Sequence, residues 1–346
     1  MDKSNRFETI DICKAIAIVL VAWGHFGMPG FIDRFVHLFM LPVFYFSSGL
    51  FFRPEKYSSP LFFLKKRAKS LLIPYFSLGI LIYLIWTLVY LLFLPDKVTG
   101  PLEYSKHLFW NNTGSVTGIW GGIQWFLTSL FFAELLVFLV NKLIRNKYLL
   151  LLFFTVLGVA IILLANSISG FRIPMAFDTA LVVPVFYCVG YLVADKIRDW
   201  LEKARTSWLI LGFVLTFAGT FLFCRLNVST NIRKLVFGNP LYYYLGALFG
   251  VMMTVCLAEL IRRLLGRKEK LLRWVCYIGS STIIILYLHR QFDGINKTLL
   301  ESVFHVTLSG AKEYIYFGVS LIVFFIIASP VCRWINKYLG FLFGKF

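Results

Sequence analysis

The chain has 346 residues, of which 59% are hydrophobic and 18% aromatic, and this excess of apolar residues excludes an ordinary water-soluble domain. Its formal net charge of +18 does not indicate nucleic-acid binding, because Lys and Arg are grouped in short segments between apolar runs. The composition therefore predicts an all-α polytopic membrane protein.

Windows of about twenty residues predict about ten transmembrane helices. Most of the 35 Lys and Arg residues fall in one set of alternating loops, so the positive-inside rule predicts that both termini are cytoplasmic, in the plasma (inner) membrane. The loops are too short for a second soluble domain, and residues 1–346 are predicted to form one membrane domain. The predicted spans are 10–26, 34–52, 71–94, 123–140, 149–166, 177–194, 207–225, 241–260, 274–289 and 314–333.

The first predicted span carries an acid, a base and an imidazole, which are Asp11, Lys14 and His25. At 3.6 residues per turn, their spacing places all three on one face of the helix. Ionisable groups in hydrocarbon are costly, and their presence indicates a functional site. The alternative is that Asp11 caps the helix, Lys14 snorkels to the headgroups and His25 marks the far interface.

Four more side chains at other predicted spans are candidates for this site. His37 is near the start of the second span, Glu134 is deep in the fourth, and His289 ends the ninth at the outer side, level with His25. Trp125, at the outer end of the fourth span, suits either an interfacial aromatic belt or stacking on a sugar. A lone interfacial histidine is usually structural, whereas two at matching depth favour a site.

A run of cations precedes the third span on the predicted cytoplasmic side and includes Lys65, Lys66, Arg67 and Lys69. Such clusters commonly serve topology by contacting anionic headgroups. The alternative is a site for a phosphorylated cytosolic cofactor, because Lys and Arg make charge-assisted bonds to phosphate.

No phosphate-binding loop, dinucleotide fingerprint or hydrolase nucleophile elbow is present, so ATP-driven pumping, dinucleotide chemistry and ordinary serine hydrolysis are not predicted. The six cysteines lie in or beside apolar runs and form no pair with metal-ligand spacing. We therefore expect no metal.

Taken in order, the motifs at 10–18, 42–49, 73–75, 125–127 and 280–289 form a pattern. The sequence resembles the acyltransferase-3 family of integral membrane acyltransferases, in the branch of fucose 4-O-acetylases and surface-polysaccharide O-acetyltransferases. The resemblance covers nearly the whole chain and implies ten helices. It also implies that Lys14 and His25 are the functional pair of the first helix. Lys14 stands where many members have Arg, and Met40 stands where relatives often have His, for which His37 is the replacement one turn earlier.

The resemblance implies transfer of acetyl from acetyl-CoA to a hydroxyl of a cell-surface glycan or a lipid-linked sugar. It also implies that membrane lipid surrounds the protein. We expect His25 to be the general base, with Asp11, Lys14 and His289 in the catalytic site. The residues expected to hold CoA are Arg67, Lys69 and Lys66, and those expected at the acceptor are His37, Trp125 and Glu134.

Two other classes remain open at this point. Some relatives are proposed to export polysaccharide or small polar solutes, and Glu134 with an aromatic lining suits such a transporter. The third reading is a structural subunit that works with glycan-assembly proteins or with a second copy of the chain. A requirement for acetyl-CoA distinguishes the enzyme from the transporter, and activity of the purified protein alone would exclude the structural subunit.

Overall fold

The computed structural model of the protein describes residues 7–93, 96, 98–110, 123–227, 230–298 and 311–344. Regular structure in these ranges is helical, apart from one isolated bridge between Asn231 and Val236. The α-helices are α1 Glu8–Phe26, α2 Gly30–His37, α3 Pro42–Leu50, α4 Pro60–Arg67, α5 Ile73–Phe93, α6 Pro101–Phe109, α7 Trp125–Leu143, α8 Lys147–Ser167, α9 Phe177–Val182, α10 Pro184–Val193, α11 Ile197–Lys203, α12 Thr206–Leu226, α13 Pro240–Leu265, α14 Glu269–Ser280, α15 Thr282–Thr298 and α16 Ala311–Tyr338.

Seven helical segments of the described chain are long and apolar enough to cross a membrane, and two bent pairs bring the total to nine if each pair is one span. The fold class, all-α and polytopic, is therefore as predicted, while the number ten and the location of the termini stay predictions. The predicted second span, 34–52, falls on α2 and α3, with a turn between them. Pro42 is the first residue of α3 and has no N–H to extend a helix through that turn.

The predicted ninth span, 274–289, also has different bounds in the structure. It consists of the end of α14 and the start of α15, and the two helices meet at Ser281 with a bend of 82°. Gly279, Ser280 and Ser281 are weak helix formers, which explains the break at this place. α15 then continues to Thr298, through residues that the hydropathy pattern assigned to a loop.

The described chain divides into two compact units that alternate along the sequence. The first unit comprises Met1–Phe52, Phe186–Asn231 and Val236–Arg333; the second comprises Arg53–Val185, Ile232–Leu235 and Trp334–Phe346. The prediction of a single domain stays a prediction.

Within the first unit, α1 packs against α3, α13, α14 and α15, and α12 packs along α13. Glycine allows the closest of these approaches. A Cβ atom at Gly279 of α14 would lie 1.7 Å from the backbone oxygen of Asp11. A Cβ at Gly49 of α3 would lie 2.0 Å from the backbone oxygen of Tyr187, so the missing side chain permits a close approach to α10.

Within the second unit, α7 packs against α4, α8, α9 and a short π-helix, Ala68–Leu72, that joins α4 to α5. The rings of Phe63 and Phe138 stack between α4 and α7 with centroids 4.2 Å apart. This contact fixes the basic end of α4 beside the middle of α7.

Candidate functional site

The first pair of candidate residues lies at the beginning of α1. Lys14 Nζ is 2.8 Å from Asp11 Oδ1, and the two side chains are 23% and 12% exposed. The pairing lowers the cost of holding both charges at a largely buried position. It also matches the spacing of three residues, which brings side chains together on a helix.

The beginning of α1 is held in place by a second buried charge, Glu259 on α13. Its carboxylate accepts a hydrogen bond of 2.7 Å from the Thr9 hydroxyl and pairs with Arg262 and Arg263. Arg263 also donates to backbone oxygens of Leu201 and Ala204. The position of α1 is therefore set by a hydrogen-bonded network as well as by apolar packing.

The second pair is formed by two histidines at the other end of α1. The imidazole rings of His25 and His289 lie with centroids 5.0 Å apart and planes inclined by 39°. The sequence prediction that they lie at matching depth is therefore confirmed by a direct ring contact. His25 is partly exposed, whereas His289 is fully buried.

The hydrogen bonding of His289 defines its tautomer. Its Nδ1 lies 3.0 Å from the backbone oxygen of Ile285, so Nδ1 carries the hydrogen and donates it to this carbonyl. In the neutral ring Nε2 is then an acceptor. This buried Nε2 has no hydrogen-bond partner among the described residues, which is a costly arrangement unless a donor arrives during function.

His37 lies against the same end of α1. A Cβ atom at Gly24, the residue before His25, would lie 3.6 Å from His37 Cε1. His37 Nδ1 is 2.9 Å from the backbone oxygen of Asp33 and 3.1 Å from its Oδ1, so Asp33 orients this ring. Asp33 is not among the residues predicted for the site, although its spacing of four residues from His37 places both on one helix face.

A buried acid on α15 was also missed. Asp293 is 3% exposed, lies one turn beyond His289, and pairs with Arg290 at 2.9 Å. The hydropathy pattern ended the helix at His289, so Asp293 was assigned to a loop. In the structure the two residues share one face of α15.

In the second unit, the structure brings together two residues that had been predicted for separate tasks. Arg67 donates from Nε and Nη2 to the two carboxylate oxygens of Glu134, a bidentate pair. Glu134 is fully buried, and the Arg67 side chain is 25% exposed. Charge compensation therefore accounts for an acid deep in an apolar helix.

The other predicted cofactor-binding cations are exposed and lie close to Arg67. Lys66 is on α4 with its Nζ 5.1 Å from the centre of the Tyr57 ring, and Lys69 is on the π-helix. π-Helical turns are rare in proteins overall, but those that occur are frequently at functional sites. These lysines present positive charge to solvent or headgroups.

Trp125, predicted to contact the acceptor, is only 4% exposed. Next to it, the side chain of Gln124 lies near Gly79 and Tyr104, and the Tyr104 hydroxyl donates a 2.7 Å hydrogen bond to the backbone oxygen of Gly79. Burial raises the pKa of Tyr104 to about 12, so this hydroxyl remains a donor at neutral pH. The faces of the Trp125 ring are thus covered by protein in this structure.

Within the described ranges, no three side chains of His, Cys, Asp or Glu are grouped to hold a metal ion. The expectation that the protein needs none stays a prediction. The six cysteines are all buried and unbridged.

Comparison with known proteins identifies the family. A search of curated proteins and a search of solved structures gave no match. The sequence profile of the acyltransferase-3 family, described as an acyltransferase domain, matches residues 7–334 and so includes the Asp11–Lys14 and His25–His289 pairs as well as Arg67 and Glu134. The chain is a multi-pass membrane protein that belongs to the acyltransferase-3 family, and acyl transfer is the activity that this membership supports.

Proposed function

We propose that the protein is an O-acetyltransferase that moves an acetyl group from acetyl-CoA to a hydroxyl of a cell-surface glycan or a lipid-linked sugar, with His25 as general base. The observation that carries the proposal is the contact of the partly exposed His25 ring with the buried His289 ring. The proposal is supported by the partial exposure of His25 and by the buried His289 Nε2 beside it, which has no hydrogen-bond partner among the described residues.

The proposed chemistry is a single acyl transfer at His25. As the acceptor oxygen attacks the carbonyl carbon of the thioester, its proton passes to the imidazole of His25. The tetrahedral intermediate then expels the CoA sulfur, and the imidazolium returns the proton to the thiolate. His289, through Nε2, stabilises the imidazolium without contacting the substrate, and it is therefore a positioning residue.

Lys14 and Asp11 have a different part in this proposal. α1 is continuous, and eleven residues at 1.5 Å per residue separate Lys14 from His25 by about 16 Å along the axis. Lys14 is therefore too far from His25 to stabilise the same oxyanion. We assign the pair to the path of the acyl donor, where the Lys14 ammonium attracts an anionic or carbonyl group and Asp11 holds that ammonium in place.

The phosphates of CoA are assigned to the exposed cations of the second unit, chiefly Lys66 and Lys69. Arg67, which was also predicted for this task, is less suited to it because Glu134 already takes two of its donors. Its role is to neutralise Glu134 and to fix the segment that presents the lysines.

The same ion pair weakens the case for a transporter. That alternative rests on Glu134 as an intramembrane acid available to a moving solute. In the structure Glu134 is fully buried and paired with Arg67. No other observation favours transport over acyl transfer.

The test is a requirement for acetyl-CoA. Membrane vesicles containing the protein are supplied with acetyl-CoA labelled in the acetyl group, and label in the glycan and lipid-linked sugar fractions is measured. We expect label in one of these fractions, and none in vesicles without the protein. Movement of unmodified glycan across the membrane, with no transfer of label, would contradict the proposal.

A further inference from the structure

The first unit contains an apolar groove that takes no part in the proposed chemistry. It has a volume of about 450 Å³, within the range of about 300–1,000 Å³ that is usual for ligand pockets, and it is open on one side. Its walls come from α1, α13, α14 and α16. The lining residues are Ile12, Ala15, Ile16, Val19, Leu20, Ile261, Trp274, Val275, Ile278, Leu321, Ile322, Phe325 and Ile326.

The groove is separate from the face of α1 that carries Asp11, Lys14 and His25. Its five residues on α1 follow the spacing of one helix face. At 100° per residue, the centre of this face lies about 140° around the helix from the centre of the other. A molecule in the groove therefore lies behind α1, away from the histidine pair.

The dimensions suit one hydrocarbon chain within one leaflet. From Ile12 to Leu20 the groove follows α1 for eight residues, which is about 12 Å. One leaflet is about half of the ~30 Å hydrocarbon thickness. The lining is aliphatic and aromatic throughout, and the indole N–H of Trp274 is its one side-chain hydrogen-bonding group.

One end of the groove carries positive charge. On α14, Lys270 lies one turn before Trp274, and Arg273 lies one turn before Tyr277. From α16, the guanidinium of Arg333 lies 5.9 Å from the centre of the Tyr277 ring. Two acids lie near this end. Glu269 has an oxygen 3.8 Å from Arg273 in an exposed and therefore weak pair, and Glu8 lies beside α14, where its backbone oxygen accepts a hydrogen bond from Cys276 Sγ.

We propose that this groove binds one acyl chain of an anionic phospholipid, with the phosphate of the lipid near Lys270, Arg273 and Arg333. Apolar side walls alone would accept a chain of any lipid. The basic end selects an anionic headgroup, since each Lys or Arg near the surface attracts anionic lipid. Trp274 lies in the groove one turn from Lys270, and tryptophan is enriched at membrane–water interfaces.

Trp274 gives a direct measurement. The full-length protein is placed in nanodiscs that contain phosphatidylglycerol or phosphatidylcholine with brominated acyl chains, because bromine quenches tryptophan fluorescence on contact. The signal of Trp274 is the difference between the wild type and Trp274→Phe. We expect stronger quenching of this signal by the brominated anionic lipid than by the zwitterionic lipid at equal mole fraction.

Two variants test separately the binding of the lipid acyl chain and the binding of the lipid headgroup. Val19→Phe fills the groove and should remove most of the quenching by both lipids; its control is Val214→Phe, at a 53% exposed position of α12. The double variant Lys270→Gln and Arg333→Gln should lower the anionic preference by about five-fold for each charge removed. Its control is Lys203→Gln with Arg205→Gln, two exposed cations elsewhere in the first unit.

Equal quenching by the two brominated lipids in the wild type would overturn the proposal. Unchanged quenching in Val19→Phe would also overturn it, because the brominated acyl chain would then lie outside the groove. Neither result bears on acetyl transfer, so the lipid site and the proposed function fail or hold separately.

Discussion

His25 and His289 face each other across 5.0 Å between α1 and α15, and only His25 is partly exposed. The two residues are 264 positions apart in the chain. His289 is held by a hydrogen bond from Nδ1 to Ile285, which leaves Nε2 as the buried acceptor. Under the proposed function, the His25 ring takes the proton of the acceptor while His289 stays fixed beside it.

The first prediction concerns His289. Its replacement by Phe keeps an aromatic ring at the contact but removes the acceptor, and we expect kcat to fall by about 10-fold to 100-fold, as for a lost hydrogen bond to a charged group. His289→Gln, which retains an acceptor oxygen, should lose less. KM for acetyl-CoA and thermal stability in detergent should remain near wild type. Equal loss in both variants, together with lower stability, would make His289 structural only.

The second prediction concerns the Asp11–Lys14 pair. Asp11→Ala leaves the largely buried ammonium of Lys14 without its partner, and we expect a loss of up to about 3 kcal/mol of stability. The double variant Asp11→Ala with Lys14→Met removes both charges and should regain most of the loss. Thermal unfolding in detergent measures both. The double variant should be inactive although it is stable, because the path of the acyl donor has lost the Lys14 cation.

Stability of Asp11→Ala equal to that of the wild type would contradict this account of the pair. Activity in the stable double variant would contradict the assigned role of Lys14 and leave the ion pair structural.

The third prediction concerns the contact of α14 with α1. Gly279→Ala would place a methyl group 1.7 Å from the backbone oxygen of Asp11, so one helix must shift, at a cost of about 1–3 kcal/mol. Gly318→Ala on α16 is the matched control, because an added Cβ there has no neighbour within 4 Å among the described residues. We expect lower thermal stability for Gly279→Ala and equal or slightly higher stability for Gly318→Ala. Equal stability of the two variants would show that the close approach is absent.

The fourth prediction concerns Arg67 and Glu134. Arg67→Gln leaves the fully buried Glu134 carboxylate unpaired, and the expected loss is about 3–5 kcal/mol. Replacing both, as Arg67→Met with Glu134→Leu, should restore the thermal stability of the folded protein. In contrast, Lys66→Gln should leave stability unchanged and raise KM for acetyl-CoA. A stable Arg67→Gln variant would contradict the charge-compensation role.

Local features of the site could be predicted from the sequence. The Asp11–Lys14 pair follows from helical spacing, and the matching depth of His25 and His289 follows from the alternation of basic loops. Long-range pairing was harder, because Arg67 and Glu134 lie on different helices. A buried acid in an apolar helix nevertheless demands a cation, and that requirement was the available signal.

Breaks within helices account for the main differences between the predicted spans and the helices of the structure. Hydropathy averages over a window, so it did not detect the turn before Pro42 or the bend at Ser281. Both breaks occur where local backbone chemistry disfavours a helix within an apolar run. The continuation of α15 beyond His289 placed Asp293 outside the expected span, which is why this acid was missed.

The most direct test of the central claim compares His25→Gln with His107→Gln, a histidine of α6 in the second unit that has no part in the proposed chemistry. Acetyl transfer from labelled acetyl-CoA is measured in membranes with equal amounts of each folded variant. We predict a loss of about 100-fold to 10,000-fold for His25→Gln, the range for a general base, and wild-type transfer for His107→Gln. Wild-type transfer by His25→Gln would contradict the assignment of His25 as the base.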